Sequence, residues 1–160
     1  MNEGPYIAIT GAGDATGEIY EQAQEVGRLV AERNGLVVCG GLGGVMEAAA
    51  RGATEAGGTA IGVLPDEDRG RANPYLSYSI ATGMRQARNL AVVCSADVVI
   101  AIGGGYGTLS EIGLARKVGR PVVSLGSWEI GERHVIAASS PGEAVEAAFD
   151  ACGSGGSQEL

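Results

Sequence analysis

Short, continuously apolar runs alternate along this chain with longer segments whose apolar residues recur every three or four positions. Residues 6–10 form the first apolar run, and residues 18–33 carry the first helical pattern, with Ile19, Ala23, Val26, Leu29 and Val30 on one face. Asn34-Gly35 stops that helix. The alternation continues with a strand over 36–39, a helix over 45–55 closed by Gly57-Gly58, and a strand over 59–64. Residues 65–77 are polar and read as a surface loop, 78–82 as a short strand, and 84–95 as a helix. The most strand-like stretch is 97–102, followed by a helix over 108–117, a buried strand over 121–125 and a short one over 135–138. Ser140-Pro141-Gly142-Glu143 supplies an N-cap, a proline at the first helical position and a capping-box acid for a last helix ending near Ala151.

Apolar strands that alternate with helices predict a parallel sheet covered on both faces, an α/β doubly wound, Rossmann-like fold. No repeat or linker divides the chain. One domain is expected over 1–152, with a flexible Gly/Ser-rich tail over 153–160.

Charge and composition narrow the function classes. Eleven basic against nineteen acidic residues give a net charge of −8, a field that repels a phosphate backbone or an anionic membrane. No apolar run approaches the ~20 residues of a membrane span, and the first residues lack the basic start and apolar stretch of a signal peptide. Cys39, Cys94 and Cys152 are odd in number and widely spaced, which fits a reducing cytoplasm, and Cys39 and Cys94 read as small core residues. Neither nucleic acid nor membrane is an expected partner.

Glycine is the compositional outlier, at 28 of 160 residues. The turns Gly11-Ala12-Gly13-Asp14-Ala15-Thr16-Gly17, Gly40-Gly41-Leu42-Gly43-Gly44 and Gly103-Gly104-Gly105-Tyr106-Gly107 each follow a strand and lead into a helix. In a parallel sheet they share the carboxyl edge, where ligands bind. Each helix N-terminus there offers unpaired N–H groups and roughly +0.5 elementary charge, and glycine lets a phosphate approach the backbone closely. Close helix–sheet packing explains one or two glycines in a turn but not the four in each of the second and third turns, so a bound anion is the favoured reading. The first turn spaces its glycines GxGxxxG, Cys39-Gly40 stands where a dinucleotide binder carries an acid, and there is no GK[ST]. A single phosphate on a nucleotide-like group remains.

Four side chains near these turns invite two readings each. Thr108 and Glu111 have capping-box spacing, and Glu111 would equally project beside the glycine loop as an acid–base or oxocarbenium-stabilising group. Arg85 and Arg88 lie three apart on one helix face, opposite Met84, Ala87, Leu90, Ala91 and Cys94, either as a solvated face or as a grip on phosphate. His134 is far from every glycine turn, no Cys/His cluster points to a metal, and no GxSxG elbow points to serine hydrolysis.

Gly104-Gly105-Tyr106-Gly107-Thr108-Leu109-Ser110-Glu111 resembles the GGxGTxxE motif of the Lonely Guy (LOG) and molybdenum cofactor carrier superfamily. The resemblance extends through residues 38–47 and through Asn73-Pro74-Tyr75-Leu76, and so covers most of 6–150 in order. LOG enzymes are phosphoribohydrolases of nucleoside 5′-monophosphates. The resemblance implies their catalytic arginine at Arg88, their glutamate at Glu111, and a phosphate cradle of Gly104, Gly105, Gly107 and Thr108. Gly103 replaces the enzymes' proline, and Gln86-Ala87-Arg88-Asn89 replaces their His-x-Arg-Lys. Met84-Arg85 and Arg88-Asn89-Leu90 are more similar to the carrier-like branch, whose members hold a phosphorylated pterin without cleaving it. Many relatives bear the name lysine decarboxylase, but a pyridoxal enzyme needs a Schiff-base lysine, and Lys117, the single lysine, lies away from the glycine edge.

The expectation is a binding protein of the carrier type, with a LOG-like phosphoribohydrolase as the alternative and a DNA-processing Rossmann protein opposed by the charge. No cofactor is required; a nucleoside monophosphate or the molybdenum cofactor would be the bound ligand. Gly11, Gly13, Gly40, Gly41, Gly43, Gly44, Gly103, Gly104, Gly105, Tyr106, Gly107, Thr108 and Arg85 are the expected contacts. Arg88 and Glu111 are the catalytic candidates, and the resemblance implies a homodimer or homotetramer.

Overall fold

Seven strands line up in the order β4-β3-β2-β1-β5-β6-β7, every neighbouring pair parallel, in a computed structural model that describes residues 4–131 and 133–153. The strands are β1 (Tyr6–Gly11), β2 (Leu36–Cys39), β3 (Ala60–Leu64), β4 (Tyr78–Ala81), β5 (Val98–Ile102), β6 (Val122–Leu125) and β7 (Ile136–Ala138). Between them run α1 (Gly17–Glu32), α2 (Val45–Glu55), α3 (Arg88–Ser95), α4 (Tyr106–Lys117) and, after β7, α5 (Pro141–Gly153). The doubly wound α/β fold expected from the alternation is the one observed. The expected tail lies at 154–160, outside the described residues, while Gly153 closes α5.

The strands β2, β3 and β5 are buried almost throughout because helices cover both faces. Ile7, Ile9, Val37, Ile100 and Ile102 point to the side of α1, α2 and α5. Ala8, Val38, Val99 and Ala101 point to the side of α3 and α4. The alternation follows from the two-residue period of a strand. The chain winds outward from β1 to β4 and then returns to the other side of β1 as β5. Gly11 and Ile102 stand in register at the carboxyl ends of β1 and β5. Between them lies the switch point of the sheet, where a crevice opens.

Several expected details differ. The helix expected over 84–95 begins at Arg88, after a 3₁₀ turn over Arg85–Ala87 in which Arg85 has a φ of +54°. That turn breaks the helical phase, so Arg85 and Arg88 share no helix face. Val92 and Val93 point inward, and Leu90, at 43% exposure, and Cys94 point outward with Met84 and Ala87. Cys94 is therefore not the core residue its apolar neighbours implied, whereas Cys39 is fully buried.

At the N-terminus of α5 the expected capping box forms: Glu143 N–H donates to Ser140 Oγ at 3.2 Å, and the Glu143 carboxylate accepts from Ser139 N–H at 2.7 Å. At α4 the corresponding box does not. The helix starts two residues earlier than expected, with Gly105 at the N-cap, and Thr108 and Glu111 make no capping bond.

The crossing of α1 and α2 is close enough to exclude side chains. A Cβ on Gly27 would overlap the Ala49 carbonyl, and one on Gly52 would overlap the Gln24 carbonyl. At an exposed helical glycine, alanine gains up to about 1 kcal/mol. Here Gly52→Ala is expected to lower unfolding free energy in urea by about 1–3 kcal/mol through overpacking. A variant as stable as the parent would show that the helices can separate at no cost.

Candidate functional site

A cavity of about 330 Å³ opens at the switch point. Its floor is the end of β1, Ile9 to Gly11, and one wall is the turn Ala12-Gly13-Asp14. Gly40 after β2 and Met46 in the first turn of α2 form the opposite side, with Arg88 and Asn89 at the start of α3. Gly105, Gly107, Thr108 and Glu111 of the α4 N-terminus complete it. The first N–H groups of α4 find no acceptor within the helix, so they and the helix dipole present positive potential at this edge.

Arg88 reaches under the sheet edge, where its Nη1–H donates to the carbonyl oxygen of Gly40 and, at 2.8 Å, to that of Val63. A Cβ at Gly40 would occupy the place of this guanidinium, so glycine there makes room for it. Nε is buried without a hydrogen-bond partner. Burial pulls the Arg88 pKa below its ordinary value, with the nearby Glu111 charge acting the other way; the guanidinium nevertheless stays charged. Two carbonyl dipoles hold the cation, and no carboxylate lies within ion-pair distance of it among the described residues.

Glu111 sits one turn into α4 and is directed at β1, where Thr10 Oγ–H donates to its Oε2 across 101 residues of sequence. Burial pushes this carboxyl above its ordinary value, against the opposing effects of the Thr10 bond and the Arg88 charge. The result is a shielded carboxyl and a shielded guanidinium lining one cavity, each with its charge only partly compensated. Cys39 behind them has its thiol pushed up to about 11 by burial, so it stays protonated and inert.

The glycines of the three turns divide by what a side chain would meet. Gly11 is pressed against the Ile102 carbonyl and Val45, Gly44 against Ala12 and Gly13, and Gly104 against Thr108. Gly41, Gly44, Gly103 and Gly104 also have positive φ. These positions need glycine for the fold itself. Gly105 and Gly107 have nothing within 4 Å of a Cβ and no positive φ, and Gly13 meets only the end of Met46 at 3.7 Å. Neither packing nor backbone conformation demands glycine at 105 and 107. Both line the open cavity.

Of the expected contacts, Gly11, Gly13, Gly40, Gly105, Gly107 and Thr108 thus come together with Arg88 and Glu111. Gly41, Gly43, Gly44, Gly103 and Gly104 support the turns from behind. Tyr106 is 82% exposed and stacks on Trp128 at 5.9 Å, and Trp128 Nε1–H donates to the Gly105 carbonyl at 3.0 Å, bracing the loop from outside. Arg85 lies off this cavity, 3.8 Å from Asp66. Thr10, Met46, Asn89 and the exposed Asp14 join the lining unexpectedly. Of these, Thr10 is the polar residue ending an apolar strand before a glycine turn, Asp14 lies within that turn, and Asn89 follows Arg88 in the stretch that carries the resemblance. His134 is exposed, and among the described residues no three His, Cys, Asp or Glu side chains gather in a metal-binding group. No described helix is long and apolar enough to cross a membrane.

A family model, the SLOG cluster4 family, matches residues 4–149. The chain belongs to the SLOG cluster4 family. A protein of Archaeoglobus fulgidus without a functional name is 46% identical over 119 residues, 74% of this chain and 78% of that protein. The molybdenum cofactor binding protein from Rippkaea orientalis superposes with a TM-score of 0.85 at 36% identity, over 91% of this chain and 95% of that one. The molybdenum cofactor carrier protein from Chlamydomonas reinhardtii gives 0.84 at 31% identity, over 94% and 99%. This SLOG cluster4 protein therefore falls in the superfamily indicated by GGxGTxxE, on its carrier-like side.

The raised pKa of Glu111 fixes the sign of a stability effect. The folded chain keeps this proton over a range where the unfolded chain has released it, so stability falls as pH rises from the ordinary carboxyl value of 4.5 through the Glu111 titration. Glu111→Gln keeps an acceptor for Thr10 but carries no charge. It is expected to raise the melting temperature of the free protein by a few degrees at pH 8, an advantage that shrinks towards pH 4. A pH-independent difference would show that the buried carboxyl is not the cause.

Proposed function

We propose that this SLOG cluster4 protein binds a phosphorylated, nucleotide-like ligand in the cavity between β1 and β5 and holds it without cleaving it, as a carrier of the molybdenum-cofactor type. The observation that carries this reading is the half-buried Arg88 guanidinium, which carbonyl dipoles seat, whose Nε is buried without a partner, and with which no carboxylate among the described residues forms an ion pair. A phosphate at the α4 N-terminus would gain its backbone N–H groups, the helix dipole and this cation together. Gly105 and Gly107 leave room for the phosphate oxygens where any side chain would intrude. The names of the two superposed relatives supply the ligand type. The phosphate of the molybdenum cofactor fits the same donors, and the cofactor is then cargo.

A hydrolytic reading rests on Glu111, which lines the same cavity. An ionised carboxylate there would stabilise positive charge developing on a ribose as its N-glycosidic bond breaks, and Arg88 would orient the phosphate. In that case AMP would release adenine. Binding without cleavage is the reading we favour, because the histidine and lysine that flank the arginine in the phosphoribohydrolases are Gln86 and Asn89 here.

The test uses AMP and Gly107→Ala. In the free protein a methyl at position 107 meets open space in a helix, so this variant should melt at the parental temperature or slightly above. Saturating AMP should raise the parental melting temperature, with a gain of about 2.7 kcal/mol at a hundredfold excess over Kd, and change the fluorescence of Trp128, the only tryptophan. Gly107→Ala should lose most of both responses. Chromatography of the same mixtures should show no free adenine; adenine that disappears in Glu111→Gln would establish the hydrolase instead. If AMP shifts neither signal, the binding reading fails.

A further inference from the structure

A second cavity, of about 490 Å³, adjoins the first and shares Arg88 and Asn89 with it. Its remaining lining comes from the loop after β3, Pro65, Asp66 and Arg71, and from the 3₁₀ turn before α3, Arg85 and Gln86. Three arginines therefore surround one cavity in a chain whose net charge is −8, and Asp66 is the single carboxylate among the lining residues. Asp66 is mostly buried, at 16% exposure, and holds Arg71 at 3.1 Å and Arg85 at 3.8 Å. Its charge is shared between two cations, and Arg88 adds a third. The side chains of Arg71 and Arg85 remain 66% and 74% exposed, open to a further partner.

The backbone keeps Arg85 in place at some cost. Arg85 adopts a left-handed φ of +54°, which side-chain-bearing residues adopt rarely. Its N–H donates to the Pro65 carbonyl at 3.0 Å, and the neighbouring Gly83 N–H donates to the Asp66 carbonyl at 2.8 Å. These bonds tie the turn to the loop that carries Asp66 and Arg71. Like charges gathered in this way repel one another until an anion enters.

We infer that the ligand carries two anionic groups, one seated at the α4 N-terminus and the second, a phosphate or other oxyanion, in the Arg71–Arg85 cavity, with Arg88 between them. This rests on the binding reading above and specifies its ligand class: a nucleotide-like molecule that carries a second phosphate or other oxyanion group, in preference to one whose single phosphate is its only anionic group. Arg71 and Arg85 would contact the second group through charge-assisted hydrogen bonds, screened by salt because they are exposed.

Calorimetric titration of the full chain at low ionic strength with AMP, ADP and adenosine 3′,5′-bisphosphate tests this. ADP or the bisphosphate should bind about tenfold tighter than AMP, as one added charge-assisted contact provides. The two arms distinguish adjacent from separated phosphates. In an Arg71→Ala/Arg85→Ala double variant, checked for an unchanged far-UV spectrum and melting temperature, the preference should fall below about threefold. Asp66→Asn, which removes the competing carboxylate, should widen it. Equal affinities for the three nucleotides in the parent, or a preference that survives in the double variant, would overturn the second site while leaving the first intact. If none of the three binds, the binding reading falls, and the two-anion ligand with it.

Discussion

A guanidinium half-buried at the edge of a parallel sheet needs partners, and in this protein the carbonyls of Gly40 and Val63 supply them. Much of the surrounding structure serves that seating. Gly40 is glycine because a side chain would take the place of Arg88. The helical phase of α3 begins at Arg88, after the 3₁₀ turn, which sets the residue against the ends of β2 and β3. The carbonyls satisfy hydrogen bonds but leave the unit charge, and the Nε–H remains unpartnered. Removing a cation from water without a counter-ion is costly. A cavity beside it, lined by a helix N-terminus and open at Gly105 and Gly107, is where a counter-ion from outside can enter.

Glu111 is complementary in sign but is not used to neutralise Arg88. Thr10, at the end of β1, holds it by a hydrogen bond, and burial raises its pKa. A direct ion pair would have consumed both charges and closed the crevice. Keeping them apart preserves a polarised cavity with one cationic and one titratable wall. In the proposed complex the anionic end of a phosphate ester would face Arg88 and the α4 N-terminus, and its neutral portion would approach Glu111. The same device continues into the adjoining cavity, where Asp66 spaces Arg71 and Arg85 without satisfying either completely.

The fold was readable because glycine punctuates it. Asn34-Gly35, Gly57-Gly58 and Gly119 end helices cleanly, and the apolar strands between them are too short to be anything else. What glycine did not reveal is which of its positions face a ligand. Gly41, Gly44 and Gly104 have positive φ and crowded surroundings, whereas Gly105 and Gly107 have neither, and no pattern in a linear sequence separates the two sets. The four-residue capping-box spacing misleads at Thr108-x-x-Glu111 and succeeds at Ser140-x-x-Glu143, because Ser140 stands just before the first residue of α5 whereas Thr108 lies inside α4, which starts at Tyr106. Glu111 instead answers to Thr10, a contact that only folding creates. Arg85 was misplaced for a related reason: a single left-handed residue rotates it away from the face that three-residue spacing predicts.

The Arg88 guanidinium can be observed without altering it. With the protein labelled in its arginine nitrogens, the Nε–H signal of Arg88 can be followed by NMR as AMP is added. Entry of the phosphate should shift that signal in proportion to saturation and slow its exchange with water, while the signals of distant arginines such as Arg28 stay still. An Arg88 signal that remains unmoved while AMP saturates the protein, or through a full titration in which nothing binds, would contradict the assignment of this half-buried cation as the anchor of the site.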